Sequence, residues 1–396
     1  MNDIIAPVRP ADRVDSIDVV RGIALFGVMA VNVLTEFHES LFQQFLPRVA
    51  ESNELDRLTE LFAQYGLNMK AFSLFSFLFG IGLAIQYERL SRHGSATRWL
   101  VRRLAVLLAF GLIQFYLIWN GDILTEYALA GFVVLPFLQA PRWLLGVSAC
   151  VFLLFYVVMP FTALTIPWPT QAWFRQHVAE ANFAYGQASF LASHRFSFHE
   201  VADIVPLHLS LFARTVGLFL VGALTWRAGM LKDPRAHRRT IITLALVFIS
   251  AGALLTYADG TNLAMHVFTM RVLGHIVERT APATLALGYC ATIVWLVEFT
   301  PARVALRAFA PLGRMAFSNY IAQSLIFSVL FYGFGLGLYG RIGPAASLVV
   351  GTSVYVAQMV VSTWWLRHYR FGPLEWLWRT LMYGRRQPMA QIDMRA

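Results

Sequence analysis

Charge is what this sequence has least of. Only 14% of its 396 residues are Asp, Glu, Lys or Arg, against about a quarter in a soluble domain, so much of its surface cannot face water. Cysteine is nearly absent as well. Cys150 and Cys290 stand in apolar runs without CxxC or metal-ligand spacing, which excludes a disulfide scaffold and a cysteine-held metal centre and predicts burial of both thiols. The 16 prolines and 27 glycines are too few for a collagen-like chain or a low-complexity tail. Walker A, HExxH and GxSxG patterns are missing, which argues against a P-loop ATPase, a zincin and an α/β-hydrolase.

What the chain does have is apolar length: 58% of its residues are hydrophobic and its mean hydropathy is +0.58. Stretches able to cross a ~30 Å hydrocarbon core as helices read at 17–37, 67–87, 99–119, 121–140, 142–165, 207–228, 240–258, 282–300, 315–338 and 344–367. The expected fold is an all-α polytopic transmembrane bundle of about ten spans. We divide it into an N-terminal half, 1–230, and a C-terminal half, 231–396. The last span is followed by Phe371–Arg379, with Pro373 at a helix start and interleaved aromatics, which reads as a short interfacial helix. Trp99, Trp119, Trp143, Trp168, Trp226, Trp364 and Trp365 fall near proposed span ends, where amphipathic rings favour the interface. The first span is not read as a cleavable signal, because Asp3, Asp12, Asp15 and Asp18 precede it and no small-residue cleavage site follows.

Orientation follows from Lys and Arg. With the N-terminus inside, the cytoplasmic segments hold 23 of them and the outer segments 8, and Arg214 lies within a span. That asymmetry predicts both termini in the cytoplasm. It also accounts for the net charge of +10 without nucleic acid as a partner. Three outer connections, 38–66, 166–206 and 259–281, are too long for tight turns and collect His38, His177, His194, His199, His266 and His275, with His208 just inside the next span. The segment 166–206 suits a stretch lying on the outer leaflet or folded back over the bundle. His93, His237 and His368 fall on the inner side.

Polar groups at membrane depth are the candidate functional residues, since ionisable side chains in a span are expensive and usually face a partner or a wet cavity. Asp18 and Arg21 are one turn apart and can pair. Arg21 and Asn32 are eleven residues apart, close to three turns, so they share a face that Glu36 extends. Two readings stand: a structural ion pair, or a helix lining a polar path that ends near Asn32 and His38. Asp122 and Glu126, at i and i+4 near a helix start, are either a shared-proton pair suited to base or cation chemistry, or a cap and a partner for arginine. Asn319 with Gln323, and Tyr320 with Ser324, are i, i+4 pairs read either as interhelical glue or as substrate contacts. The glycines within Phe331–Gly340 indicate close packing or a distorted helix end, not a phosphate cradle, because no strand precedes them.

At these residues the sequence resembles the YeiB family of bacterial inner-membrane proteins. The matching stretches are Asp18–Asn32, Phe75–Gly80, Gly121–Leu124 with Tyr127–Leu129, Gly313–Tyr320, Phe331–Gly340 and Phe371–Pro388. The C-terminal half resembles that family's domain of unknown function (418). More distantly, Ser16, Asp18, Arg21, Gly22 and Asn32 are similar to a pattern in transmembrane acyltransferases, including heparan-α-glucosaminide N-acetyltransferase. In those enzymes an Asn and a His beyond this helix serve acyl transfer from cytoplasmic acyl-CoA to an acceptor on the far side. Asn32 matches that Asn, and His38 stands at a shorter spacing than that His. Gln114 stands where YeiB-like proteins often carry His.

The resemblance implies an acyltransferase with acyl-CoA as co-substrate and no tightly bound cofactor or metal. Arg102, Arg103 and Arg314 would meet the phosphates. His38 or the Asp122/Glu126 pair would take the acceptor's proton, and Asn32 would donate to the developing oxyanion. Asp18, Arg21, Gln114, Asn319 and Gln323 complete the expected substrate contacts. The alternative is a transporter of a small anionic solute, with Asp18, Arg21, Asp122 and Glu126 as substrate or proton-coupling sites. A scaffold without turnover is a third reading. The partners expected are the lipid bilayer and a small molecule, and a homodimer is left open.

Overall fold

The structure, a computed structural model, describes residues 14–47, 53–92, 94–162, 166, 168–261 and 271–390. His93, His266 and Pro167, and arginines 9, 13, 48 and 395, lie outside these. Among the described residues there is no β-strand, only an isolated antiparallel bridge between Tyr369 and Ala390. The helices are α1 (Asp15–Asn32), α2 (Glu54–Phe62), α3 (Lys70–Ser91), α4 (Ala96–Leu117), α5 (Leu124–Val134), α6 (Arg142–Val158), α7 (Gln171–Gly186) and α8 (Phe190–Arg227). They continue as α9 (Arg238–Gly260), α10 (Arg271–Phe299), α11 (Arg303–Leu306), α12 (Ala310–Arg314), α13 (Ala316–Phe331), α14 (Pro344–His368) and α15 (Pro373–Tyr383). The chain is an all-α polytopic bundle.

Among the described residues, eight helical stretches are long and apolar enough to cross a membrane; they contain α1, α3, α4, α6, α8, α9, α10 and α14. The expected spans 121–140 and 315–338 correspond to two shorter apolar helices, Leu124–Gln139 and Ala316–Phe331. A 16-residue helix such as α13 rises about 24 Å, short of a ~30 Å core. The reason lies in the sequence. Pro136, which has no N–H, falls in a 3-10 turn, Leu135–Gln139. The glycine run folds back on α13, with the Leu336, Leu338 and Tyr339 N–H groups donating to the carbonyls of Val329, Leu330 and Phe331. Packed against the bundle, such irregular backbone is tolerated at membrane depth.

Helix α1 is the centre of the bundle. Within its apolar window 78% is buried, against 22% for α9, so α1 is walled by protein and α9 by lipid. Gly22 and Gly313 make this possible: a Cβ on Gly22 would overlap the Phe309 carbonyl, and one on Gly313 the Asp18 carbonyl. Contacts bring the start of α1, the start of α4, the 303–318 turn and α15 to one end, which we call the basic end. Asp15 pairs with Arg307 at 2.7 Å, Glu375 holds Ser318, and the Trp378 indole donates to the Arg103 carbonyl at 3.0 Å.

Two expectations change. Cys290 is buried, but Cys150 is exposed, because it lies on the outward face of α6 with Val147, Val151 and Leu154. Trp119 is not an interfacial anchor. It is 2% exposed and stacks on Phe37 with ring centroids 4.8 Å apart. The segment after 166 folds back over the bundle: Phe174 and Val178 of α7 pack with Phe42, Phe115, Val201 and Ile204.

Candidate functional site

A cavity of about 240 Å³ enters the bundle from the basic end. Arg21, Gln86, Arg103, Arg314, Glu375 and Arg379 line its polar part, and Leu25, Val28, Phe75, Phe79, Leu107, Leu124 and Phe317 its apolar part. Helices α1 and α3 run antiparallel here, since Gly82 faces Arg21 while Gly27 faces Ala71. The arginines therefore sit at the mouth, and Val28 lies about 10 Å deeper along α1. Arg21 pairs with Asp18 at 3.4 Å. The Arg103 guanidinium lies 3.8 Å from the Trp378 ring centroid, and its Nε has no hydrogen-bond partner.

Glu375 is held by a helix turn. Its Oε1 accepts from Ser318 N at 3.0 Å and its Oε2 from Ser318 Oγ at 2.5 Å, so it caps the first turn of α13. Burial pushes its carboxyl above the ordinary range, and the Ser318 hydrogen bonds pull the other way. The mouth thus presents four guanidinium groups, one of them paired with Asp18, around a carboxylate that caps a helix. Phosphate-rich anions with an apolar or slender tail fit that arrangement.

Beyond Val28 the same face of α1 continues to Asn32 and Glu36. Asn32 is 5% exposed and its Oδ1 has no hydrogen-bond partner. Glu36 lies in a π turn, Val33–Phe37, with its carboxylate against Gly121, where any Cβ would overlap it. Tyr320, at the deep end of the cavity, donates to Gly121 O at 3.3 Å and accepts from Ile123 N at 3.4 Å.

Next to this lies a buried acid–histidine group. Asp122 caps α5, accepting from Leu124 N at 3.0 Å, Thr125 N at 2.8 Å and Thr125 Oγ1 at 2.7 Å. Glu126 Oε1 accepts from Thr215 Oγ1 at 2.5 Å, and its Oε2 is 2.8 Å from His208 Nδ1. With Glu126 ionised, Nδ1 carries the proton, and a neutral ring keeps its Nε2 lone pair. Asp122 and Glu36 are also within electrostatic reach of His208. A second group lies between α7 and α8. Glu200 accepts from Tyr185 OH at 2.5 Å and Asn120 Nδ2 at 2.7 Å, and its Oε1 is 2.8 Å from His177 Nε2.

Residues 225–385 match a family model described as Protein of unknown function (DUF418). The uncharacterized protein YxaH of Bacillus subtilis (strain 168) is 35% identical, over 97% of this chain and 98% of its own length. The chain belongs to the YeiB-like family. The uncharacterized protein YeiB of Escherichia coli (strain K12) is 29% identical over 93% of this chain and 96% of its own. A 39.9 kDa protein from the amylase 3′ region of Bacillus acidopullulyticus is 27% identical over 97% of each chain. No solved structure matches. The DUF418 match takes in Arg314, Glu375 and Arg379 at the mouth, whereas Asn32, Glu126 and His208 lie in the half covered only by the full-length YeiB-like relatives.

The structure brings together some of the expected site residues. Arg21, Arg103 and Arg314 line one cavity, with Asp18 paired to Arg21. Arg102 does not line it; it is exposed, beside Gly384. Asp122 and Glu126 are neighbours with separate partners, the cap and His208, and no hydrogen bond joins them. His38 is turned to α14, with Nδ1 3.3 Å from Ser347 Oγ. Asn319 donates to Ser362 Oγ at 3.0 Å, and Gln323 Nε2 to Gln358 Oε1 at 2.8 Å. Gln114 Nε2 donates to Ser324 Oγ at 3.1 Å. These last three amides tie helices together. Sequence reasoning did not single out His208, Thr215, His177, Glu200, Gln86 or Arg379 as site residues. The one available signal was an ionisable residue inside a predicted span, which His208 carried.

Proposed function

We propose that this YeiB-like membrane protein transfers an acyl group from an acyl-CoA, entering at the basic end, to an acceptor reached from the opposite side. The basic end then faces the cytoplasm of a bacterial cell, as the Lys/Arg asymmetry predicts. One observation carries the reading: the cavity whose mouth has four arginines against two carboxylates, Asp18 paired with Arg21 and Glu375 capping a helix, and whose depth is apolar. Arg21, Arg103, Arg314 and Arg379 hold the phosphates, and the slender thioester arm follows the α1 face toward Asn32. His208, with Nδ1 held by Glu126, takes the proton from the acceptor O–H or N–H as that atom attacks the thioester carbonyl. The carbonyl oxygen gains charge, and the Asn32 amide donates to it. The C–S bond then breaks and CoA leaves as the thiolate. His38, turned to Ser347, is not needed for any step.

The test is release of free CoA from acetyl-CoA by purified protein offered amine and hydroxyl acceptors. Asn32→Ala should lower the rate by roughly 10²–10³-fold, the loss seen when one oxyanion donor is removed. Acetyl-CoA binding should survive. No release with any acceptor, together with solute uptake into proteoliposomes that Glu126→Gln abolishes, would replace this reading with a transporter in which the carboxylates around His208 couple protons.

A further inference from the structure

Arg214 precedes Thr215, the residue that holds Glu126, but shares in none of the hydrogen bonds of the two polar groups described above. It is on α8, about 20 Å from that helix's basic end at Arg227 by helical rise, which is the far third of a ~30 Å core. It is 3% exposed, and neither its Nε nor its Nη1 has a hydrogen-bond partner. Among the described residues it forms no ion pair. Its guanidinium carbon lies 5.9 Å from the centroid of the Tyr156 ring, near the end of α6. Arg279 of α10 lies over the same ring at 4.7 Å and donates from Nη1 to the Tyr156 carbonyl at 2.9 Å. Two guanidinium groups therefore lie near one tyrosine ring. The close approach of α8 to α6 at Gly217, where a Cβ would lie 2.7 Å from Leu153, fixes the spacing one turn further on.

A cation at this depth is one of the most expensive placements in a membrane protein, and such residues face a counter-charge or a wet cavity. A ring nearly 6 Å away is a weak substitute for an anion. We propose that Arg214 and Arg279, both beside Tyr156, form a site for a phosphate group. Arg214 alone offers three N–H donors on its unpartnered nitrogens, and a phosphate supplies three acceptor oxygens to meet them. The phosphate is that of a lipid headgroup or of a free phosphorylated ligand. This site does not depend on the acyl-transfer reading, since none of its residues lines the cavity or takes part in that chemistry.

Thermal unfolding of the purified full-length protein tests it. The probes are inorganic phosphate in neutral detergent, and nanodiscs of phosphatidylglycerol compared with phosphatidylcholine. Wild type should gain about 2–4 °C when phosphate or phosphatidylglycerol is supplied. Arg214→Gln should gain less than wild type, any remainder coming from the arginines at the cavity mouth, and without phosphate it should melt no lower than wild type, because a buried cation with no ion-pair partner has been removed. Arg279→Gln, at a less buried position, should reduce the gain and serves as a second test of the same pair. A gain with phosphatidylglycerol alone assigns the lipid, and one with inorganic phosphate assigns a free ligand. Equal gains in wild type and both variants, or no gain in wild type, would overturn the proposal.

Discussion

The cavity mouth and the interior group around His208 are both rich in ionisable residues, but they balance charge in opposite ways. Inside, three acids are matched by hydrogen bonds: Glu126 has Thr215 and His208, Glu200 has Tyr185, Asn120 and His177, and Asp122 has the first turn of α5. At the mouth four arginines surround a carboxylate that already caps a helix. Matched buried networks hold their members in fixed orientation. An excess of one charge sign facing a cavity, by contrast, draws anions toward it. The comparison therefore separates residues that position from residues that recognise, and it locates recognition at the basic end.

The sharpest way to break the comparison is to unmatch the interior. Glu126→Leu would leave His208 and Thr215 without their acceptor, and we expect a loss of stability of about 1–3 kcal/mol for each buried donor left unsatisfied, measured by chemical unfolding in detergent. Tolerance of this change would mean the interior group is not a matched network. A smaller effect is expected where amides join helices beside the cavity. Gln358→Leu removes one bond from Gln323 and one to the Asn319 carbonyl, at about 0.6 kcal/mol each and no more than ~1.7. CoA affinity should not change.

The smallest effect concerns Glu375. Its folded pKa is raised by burial, so the folded state holds this proton more tightly than the unfolded chain does. The resulting stability is present at pH below the ordinary carboxylate range and is lost as pH rises through the raised value. Glu375→Gln should flatten that part of the stability–pH curve. An unchanged slope would show that the Ser318 hydrogen bonds outweigh burial.

Much of the architecture was legible in the sequence because apolar length is a one-dimensional signal. The spans containing α1, α3, α4, α9 and α14 follow directly from it, and so does the interfacial helix α15. Helices α5 and α13 came out short, since Pro136 and the glycines after Phe331 end regular helix before apolar composition ends. The site was legible only along one helix. The shared face of Arg21, Asn32 and Glu36 follows from helical periodicity, as does the pairing of Asp18 with Arg21. The partners of Glu126, Gln323 and Glu375 lie 82, 35 and 57 residues away, and no local spacing encodes such distances. Arg102 and Arg103, adjacent in sequence, diverge because successive helical side chains point about 100° apart, so only one can face the cavity.

Calorimetric titration of coenzyme A into the purified protein tests the central claim most directly. CoA should bind to wild type, and Arg103→Gln should weaken it by roughly 10–100-fold, the worth of one charge-assisted hydrogen bond at about 1.5–3 kcal/mol. Arg102→Gln, one residue away but outside the cavity, should bind as wild type does. Equal weakening by the two variants, or no binding of CoA to wild type, would contradict the assignment of recognition to the cavity mouth.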